Sequence, residues 1–132
     1  MKKLLLIIIV FVTSLSYCQT ADEYFKRGIS KDSLRDDKGA IADYTKAVEL
    51  NPNFSDAYYL RGLSKHNLED YKGAIADYTK AIELNPNDDY NYFRRGLAKL
   101  SLSQNNSACL DFSKALELGD NDAYRLIKKY CN

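Results

Sequence analysis

The amino-acid sequence predicts an all-α protein, built as a solenoid of stacked antiparallel helix pairs. The stretch at residues 38–53, KGAIADYTKAVELNPN, recurs at residues 72–87 with one change. A more divergent copy occupies residues 106–118. The step between copies is 34 residues, which fits two helices of about 12 to 14 residues and a short turn. Apolar residues recur at helical spacing inside each copy, and one such unit cannot bury its apolar face without a stacked neighbour.

Length and composition fit one globular domain with a balanced charge. The chain has 132 residues, of which 45% are hydrophobic and 28% are charged, and its formal net charge is +1. Binding to a nucleic-acid backbone needs clustered Lys and Arg side chains. The sequence therefore gives no reason to expect a nucleic-acid partner.

Residues 1–18 have the layout of a signal peptide. Lys2 and Lys3 precede an unbroken apolar run over residues 4–12, and small and polar residues follow before Cys18. A run of this length is too short to span a bilayer core of roughly 30 Å as a helix. We therefore predict cleavage after Cys18 and a mature protein that is secreted or periplasmic, in a bacterial cell envelope.

Cys18 leaves a second interpretation open, in which it is the acylated first residue of an outer-membrane lipoprotein. The lipoprotein motif usually has a small residue immediately before its cysteine, whereas Tyr17 stands there. Cleavage to a soluble product is the prediction, and a lipid-anchored component of a cell-envelope assembly is the alternative. In either case we expect membrane contact only through the signal peptide or through this lipid.

After the leader, the chain divides into three units without a linker. The predicted boundaries are residues 21–54, 55–88 and 89–122, followed by a capping helix at residues 123–132. The capping helix echoes the start of a unit, but no partner helix follows it. It would cover the apolar face of the third unit, with Arg125, Lys128 and Lys129 turned to solvent.

Residues at the turns predict where the second helix of each unit begins and ends. Asp36 and Asp70 stand before it, where a carboxylate can accept hydrogen bonds from backbone N–H groups. Pro52 and Pro86 follow its end, because proline supplies no N–H and restricts the residue before it. Gly119 is the predicted stop in the third unit.

A set of regularly spaced residues carries a family resemblance. In the first unit the set is Tyr24, Gly28, Ala40, Tyr44, Ala47 and Pro52, and the second unit repeats it 34 residues later. The third unit has Phe112 as its second aromatic residue and Asp120 in place of the proline. With these residues the chain resembles the tetratricopeptide repeat proteins. The resemblance implies a right-handed superhelix whose concave face, lined by the first helix of each unit, binds a protein or a peptide.

The resemblance also implies which residues face the bound partner. Carried over by position, they are Phe25, Ile29, Tyr59, Leu63, His66, Tyr90, Phe93, Arg94 and Leu97. Three aromatic members of this set, Phe25, Tyr59 and Phe93, have an alternative role, which is to pack one first helix against the next. If they are exposed instead, they would anchor an extended or helical peptide.

One known binding mode of the family is not expected here. Some members grip a peptide's C-terminal carboxylate with five Lys, Asn and Arg residues of the first helices. The matching positions in this sequence hold Phe25, Ile29, Leu60, Tyr90 and Arg94. Only the arginine agrees with the pattern.

Each unit carries one arginine and one aspartate at positions that the repeat should pack. Arg27, Arg61 and Arg95 stand before the repeated glycines, and Asp43, Asp77 and Asp111 recur with them. An isolated buried charge costs several kcal/mol, so each needs a partner. We predict pairs across the joints between consecutive units, Asp43 with Arg61 and Asp77 with Arg95. Pairing within a unit is the alternative. Binding of an anionic ligand by these arginines is a third interpretation.

Cys109 and Cys131 remain as an even pair if Cys18 leaves with the leader. Disulfides persist in exported proteins, and the pair would join the third unit's second helix to the end of the capping helix. The alternative is a small buried thiol at Cys109, where the other units have isoleucine, and a free thiol at Cys131. The sequence leaves both open.

The residues that carry chemistry are mostly missing from the sequence. His66 is the single histidine, and no Cys or His pair has the spacing of metal ligands. A glycine-rich phosphate loop and a Gly-x-Ser-x-Gly elbow are also missing. We expect His66 to be solvated at a polar helix end, and we expect no catalytic residues, metal or cofactor. A binding module is therefore the prediction, and an enzyme with an unrecognised site is the remote alternative.

Overall fold

A computed structural model describes residues 20–131 of the chain. Within this range the backbone forms seven α-helices and no strand. The helices are α1 (Ala21–Ser33), α2 (Asp37–Leu50), α3 (Ser55–Asn67), α4 (Tyr71–Leu84), α5 (Asp89–Ser101), α6 (Asn105–Leu118) and α7 (Asp122–Tyr130). The all-α prediction is confirmed, whereas the predicted leader at residues 1–18 lies outside the described residues.

The ends of the second helices agree with the turn residues in the sequence. The Asp36 and Asp70 carboxylates each accept a hydrogen bond at 2.9 Å from a backbone N–H in the first turn, of Gly39 and Gly73 respectively. Helix α6 ends at Gly119, whose φ of +118° is left-handed and favours glycine. These predicted caps and stops are confirmed.

The helices form three antiparallel pairs that stack in chain order. Each helix packs chiefly against its two neighbours in sequence, and the first helices α3 and α5 also touch. Tyr24 near the start of α1 lies in the same apolar cluster as Val48 near the end of α2 and Ala57 of α3. One cluster thus joins a unit to the next, which confirms that stacked pairs share the core.

The closest approach within each pair is between a glycine of the first helix and an aromatic ring of the second. A Cβ atom added at Gly96 would lie 2.6 Å from Cε1 of Phe112, which is closer than real side chains come. Gly28 faces Tyr44 and Gly62 faces Tyr78 in the same way. The three rings are fully buried, so glycine is needed where the ring lies against the facing backbone.

The repeated charges pair within units, so the predicted pairing across the joints is wrong. Arg61 donates to Asp77 through Nε at 2.9 Å and through Nη2 at 2.7 Å, and Lys65 Nζ lies 2.8 Å from the same carboxylate. The first unit joins Arg27 and Lys31 to Asp43, and the third joins Arg95 and Lys99 to Asp111. Pairing within a unit, the alternative prediction, is confirmed.

The glycine–aromatic contact explains this choice of partner. The arginine directly precedes the glycine and the aspartate directly precedes the aromatic residue, so the contact that joins Gly62 to Tyr78 also brings Arg61 to Asp77. Arg61 does reach the preceding unit, but there its Nη1 donates to the hydroxyl of Thr45 at 3.2 Å. The joint is therefore crossed by a neutral acceptor rather than by a second carboxylate.

Helix α7 covers the end of the solenoid. Ala123 is fully buried, and Leu126 and Ile127 pack on the cluster around Phe112. On the opposite side, Arg125, Lys128 and Lys129 are exposed, in agreement with the sequence analysis. A disulfide joins Cys109 of α6 to Cys131, with 5.7 Å between their Cα atoms. Of the two alternatives for these cysteines, the structure contains the bridge.

Replacing both Cys109 and Cys131 by serine should lower the free energy of unfolding by about 3 kcal/mol, because the bridge closes a loop of 22 residues in the unfolded chain. Urea unfolding of the oxidised protein and of the double variant measures this difference. Dithiothreitol should lower the midpoint of the wild type toward that of the variant and leave the variant unchanged. Equal midpoints for the oxidised protein and the variant would contradict a stabilising bridge.

Candidate functional site

Three recesses lie along the surface formed by the first helices and α7. The first recess, of about 760 Å³, lies between α1 and α3 over Tyr44. The second recess, of about 360 Å³, lies between α5 and the turn that leads into α7. The third recess, of about 350 Å³, lies between α5 and α7 and is mainly apolar. We call the surface that contains them the groove.

Six of the nine predicted binding residues line these recesses. Ile29 and Leu63 line the first, Tyr90, Phe93 and Arg94 line the second, and Phe93 and Leu97 line the third. Two of them are large and substantially exposed, since Ile29 keeps 41% and Tyr90 keeps 62% of its surface accessible. Apolar side chains thus stand open to solvent on the surface that the resemblance indicated.

Phe25, Tyr59 and Phe93 each pack against the second helix of their own unit. The ring centroid of Phe25 lies 5.9 Å from that of Tyr44, Tyr59 lies 6.0 Å from Tyr78, and Phe93 lies 5.9 Å from Phe112. Each ring therefore lies on the second helix of its unit. Phe25 also packs at 4.5 Å on Phe54, the residue before α3, and belongs to the cluster of Ala57. Tyr59 belongs to the cluster of Ala98 on α5, so both rings also pack toward the next first helix, as the packing alternative had it. Phe93 combines this contact with a place in the groove.

His66 is half-buried, so the prediction of a solvated imidazole is wrong. Its ring meets the Tyr71 ring edge-on at 5.1 Å, and its Nδ1 atom is buried with no hydrogen-bond partner within residues 20–131. Burial, followed by the positive charge of Arg94, holds the pKa of His66 below its usual value. The imidazole packs here because the short turn between α3 and α4 brings residue 66 over the start of α4.

A buried polar network at the joint between the first and second units was missed by the sequence analysis. The Asp32 carboxylate accepts hydrogen bonds from the Tyr44 hydroxyl and, at 2.9 Å, from the Ser64 hydroxyl. Burial, followed by the hydrogen bond to Asp32, raises the pKa of the Tyr44 phenol. One feature of the sequence could have revealed this network. Asp32 stands one helical turn after Gly28, whereas the equivalent residues of the second and third units are His66 and Leu100.

Two further types of site have no support in the part of the chain that the structure covers. Among residues 20–131, no three His, Cys, Asp or Glu side chains come together as a metal would need. No helix in that range is both long enough and apolar enough to cross a bilayer.

The fold and the groove define an α-solenoid of helical repeats, and two family models identify it more closely. The family described as "Tetratricopeptide repeat" matches residues 55–88, and the one described as "TPR repeat" matches residues 36–69. The chain is a tetratricopeptide repeat protein. No curated protein sequence matches it, so its similarity to known proteins is seen in these repeats and in solved structures.

Solved structures similar to this one include several tetratricopeptide domains. The first domain of Spaghetti (RPAP3), bound to the HSP90 peptide SRMEEVD, is 26% identical, with a TM-score of 0.81 over 87% of this chain and 93% of that one. The second domain of human RPAP3, in complex with the HSP70 peptide SGPTIEEVD, is 25% identical, with a TM-score of 0.80 over 85% and 95%. The Arabidopsis OM64 domain is 27% identical, with a TM-score of 0.78 over 83% and 92%.

Proposed function

We propose that the protein is a non-catalytic interaction module that binds a peptide or protein segment in the groove. The observation that carries this proposal is the row of recesses along the first helices, where Ile29, Leu63 and Leu97 present apolar surface. Concave, largely apolar surfaces with a few polar groups are typical binding sites. The similar RPAP3 domains were solved with peptides bound, which supports the same use of the fold here.

The pattern of repetition supports recognition by the groove. Residues that build the solenoid recur in every unit, whereas several that line the groove change from one unit to the next. Lys26, Leu60 and Arg94 occupy one such position, and Asp22, Asp56 and Tyr90 occupy another. A surface that differs along its length can fix the direction and the register of a bound segment.

The peptide should differ from the chaperone peptides of the RPAP3 domains. In some members of the family, five positions hold the C-terminal carboxylate of the peptide. Four of these positions are Phe25, Ile29, Leu60 and Tyr90 in this chain. They offer the apolar contacts that suit aliphatic or aromatic side chains of the partner. We therefore propose a segment with apolar anchors rather than one recognised mainly by its C-terminus.

We also propose that the protein works outside the cytoplasm, in the cell envelope. The leader-like residues 1–18 support this location, and so does a disulfide between Cys109 and Cys131, since disulfides persist in oxidising compartments. Lipid anchoring through Cys18 is the alternative. The mass of the mature N-terminus tests both, because it shows Gln19 as the first residue or an acylated Cys18.

Replacing Ile29 by serine should weaken peptide binding about tenfold, because it removes an apolar contact worth about 1.5 kcal/mol or more from the first recess. Peptides would be selected on the mature protein from a random phage-displayed library, and their affinities measured by calorimetry. Leu110→Ser is the matched control, since Leu110 is 73% exposed on α6 and lines none of the three recesses. Equal losses in both variants would show that the peptides bind outside the groove.

A further inference from the structure

The first recess of the groove combines apolar walls with carboxylates. With a volume of about 760 Å³, it is the largest of the three recesses. Asp32 and Asp37 line it, and Arg35 is the one cation among its lining residues. Its aliphatic surface comes from Ile29, Leu60 and Leu63. The recess thus offers contacts both to an apolar chain and to a charged group.

The fold holds the carboxylate of Asp32 at a fixed place on the wall of this recess. One oxygen atom accepts a hydrogen bond from the Tyr44 hydroxyl of α2, and the other accepts one at 2.9 Å from the Ser64 hydroxyl of α3. Burial raises the pKa of the Tyr44 phenol, so this hydroxyl keeps its proton and remains a donor. Asp32 is therefore held from two helices at the joint between the first and second units.

The negative charge of Asp32 is not matched by a cation within residues 20–131. The repeated aspartates are each joined to an arginine and a lysine, as Asp77 is to Arg61 and Lys65. The hydrogen-bond partners of Asp32 are two neutral hydroxyls, and in the described range Arg35 forms no ion pair with it. An opposite charge nearby favours a half-buried carboxylate more than an exposed one, because protein screens charges less than water does.

Neither the hydrogen bonds nor the repeat explains why this residue is charged. The side-chain carbonyl of an asparagine also has two lone pairs and could accept from both hydroxyls. The second and third units have His66 and Leu100 at the position of Asp32, so stacking of the units does not require an acidic residue there. A carboxylate that only one unit carries, in a recess of the groove, is instead suited to recognition of an opposite charge.

We propose that the first recess binds a Lys or Arg side chain of the partner segment, with its cationic head paired to Asp32 and its methylene groups against Ile29 and Leu63. Lys and Arg commonly bury their stems on apolar surface while the charged head remains at a polar group. The proposal rests on the proposed function, because the side chain belongs to the segment held in the groove. It adds a cation to the apolar anchors and places that cation at the end of the groove formed by α1 and α3.

The first test uses small probes and does not depend on a peptide. The probe n-butylammonium reproduces the chain and the head of a lysine, and n-pentanol has a similar length and no charge. Both should shift the NMR signals of the Ile29 and Leu63 methyl groups, and the cation should bind about tenfold more tightly. Raising NaCl to about 0.5 M should weaken binding of the cation alone. Equal affinities for the two probes, or no shift with n-butylammonium, would overturn the proposal.

Two substitutions with opposite expected effects test the residues. Asp32→Asn removes the charge and keeps an acceptor for Tyr44, so it should weaken n-butylammonium binding about tenfold and leave n-pentanol binding unchanged. Arg35→Gln removes the cation that shares the recess, so it should tighten n-butylammonium binding about twofold to threefold. Glu49→Gln is the control, because it makes the same charge change as Asp32→Asn on α2, outside the three recesses, and should alter the affinity less than twofold.

Circular dichroism shows whether each variant is folded. An unchanged affinity in folded Asp32→Asn, or an equal loss in Glu49→Gln, would refute the assignment. Should Asp32→Asn fail to fold, Arg35→Gln decides by itself: tighter binding of n-butylammonium supports the site, and unchanged or weaker binding overturns it.

The second test uses the peptides selected on the groove. In one arm each Lys or Arg of the peptide is replaced by Met, and in the other the N-terminus is acetylated. One replacement should weaken binding to the wild type about tenfold and binding to Asp32→Asn less than twofold, whereas acetylation should change little. A loss on acetylation alone would overturn the assignment to a side chain. If every peptide tolerates both changes, the cation site is wrong while groove binding stands. If no peptide binds, the proposed function fails, and the n-butylammonium result still decides the site.

Discussion

Replacing Asp77 by alanine is expected to lower the free energy of unfolding by about 3 kcal/mol. The loss arises because Arg61 and Lys65, whose side chains are only 15% and 20% exposed, would both lose the carboxylate that compensates them. A buried charge left without its partner is more costly than the absence of the whole group. Urea unfolding followed by circular dichroism measures the difference.

The first unit provides the control for this experiment. Asp43 makes the same contacts as Asp77, but its partners Arg27 and Lys31 are 47% and 33% exposed. On removal of Asp43 these two cations can turn to water, so the loss of stability should be clearly smaller than for Asp77→Ala. The explanation would be wrong if the two substitutions cost the same, because burial of the cations would then have no role.

Replacing Phe112 by alanine should cost about 3 to 5 kcal/mol, through lost burial and the cavity that remains. Phe112 is fully buried in the cluster that joins the third unit to helix α7, so the variant should loosen the cap as well as the unit. Thermal and urea unfolding measure the loss. Leu110→Ser on the exposed side of the same helix should change stability little. A similar loss there would show that α6 is sensitive to substitution whether or not the side chain is buried.

A double-mutant cycle with Gly96 tests the close contact that Phe112 makes. In the wild type, Gly96→Ala should be destabilising, because the new methyl group would lie 2.6 Å from the ring. In the Phe112→Ala background the ring is absent, and the same change should stabilise the helix by up to about 1 kcal/mol through its higher helix propensity. An effect of the same sign in both backgrounds would exclude this contact as the reason for glycine.

The sequence predicted the parts of the fold that depend on local chemistry or on the repeat. The Asp36 cap and the Gly119 stop depend on residues a few positions away, so a single stretch of sequence contains all that is needed. The glycine–aromatic contact recurs with the repeat, which made it visible three times. The family resemblance assigned surface positions residue by residue, and this is why six of the predicted binding residues are found in the groove.

The errors concern contacts for which the sequence offered two nearby partners. Arg61 is 16 residues before Asp77 and 18 after Asp43, and both aspartates lie on helices that pack against its own. The choice depends on which helices approach most closely, and the Gly62–Tyr78 contact decides it. His66 was misjudged because its polar sequence neighbours do not reveal that the turn brings it onto Tyr71.

The network around Asp32 shows a different limit of sequence analysis. Asp32, Tyr44 and Ser64 come from three helices and two units, and the combination occurs once in the chain. Repetition therefore could not reveal it. Only a comparison of the residues at the same place in each joint shows that the second joint has changed its polar groups.

The three repeated clusters of arginine, lysine and aspartate each close inside one helix pair, and this has a consequence for how such a chain can grow or shrink. Each 34-residue segment brings its arginine, its lysine and the aspartate that contacts both, so a segment could be duplicated or deleted without separating these three charges. Pairs made between segments would have tied each copy to a particular neighbour. The near-identity of residues 38–53 and 72–87 agrees with duplication of one such segment.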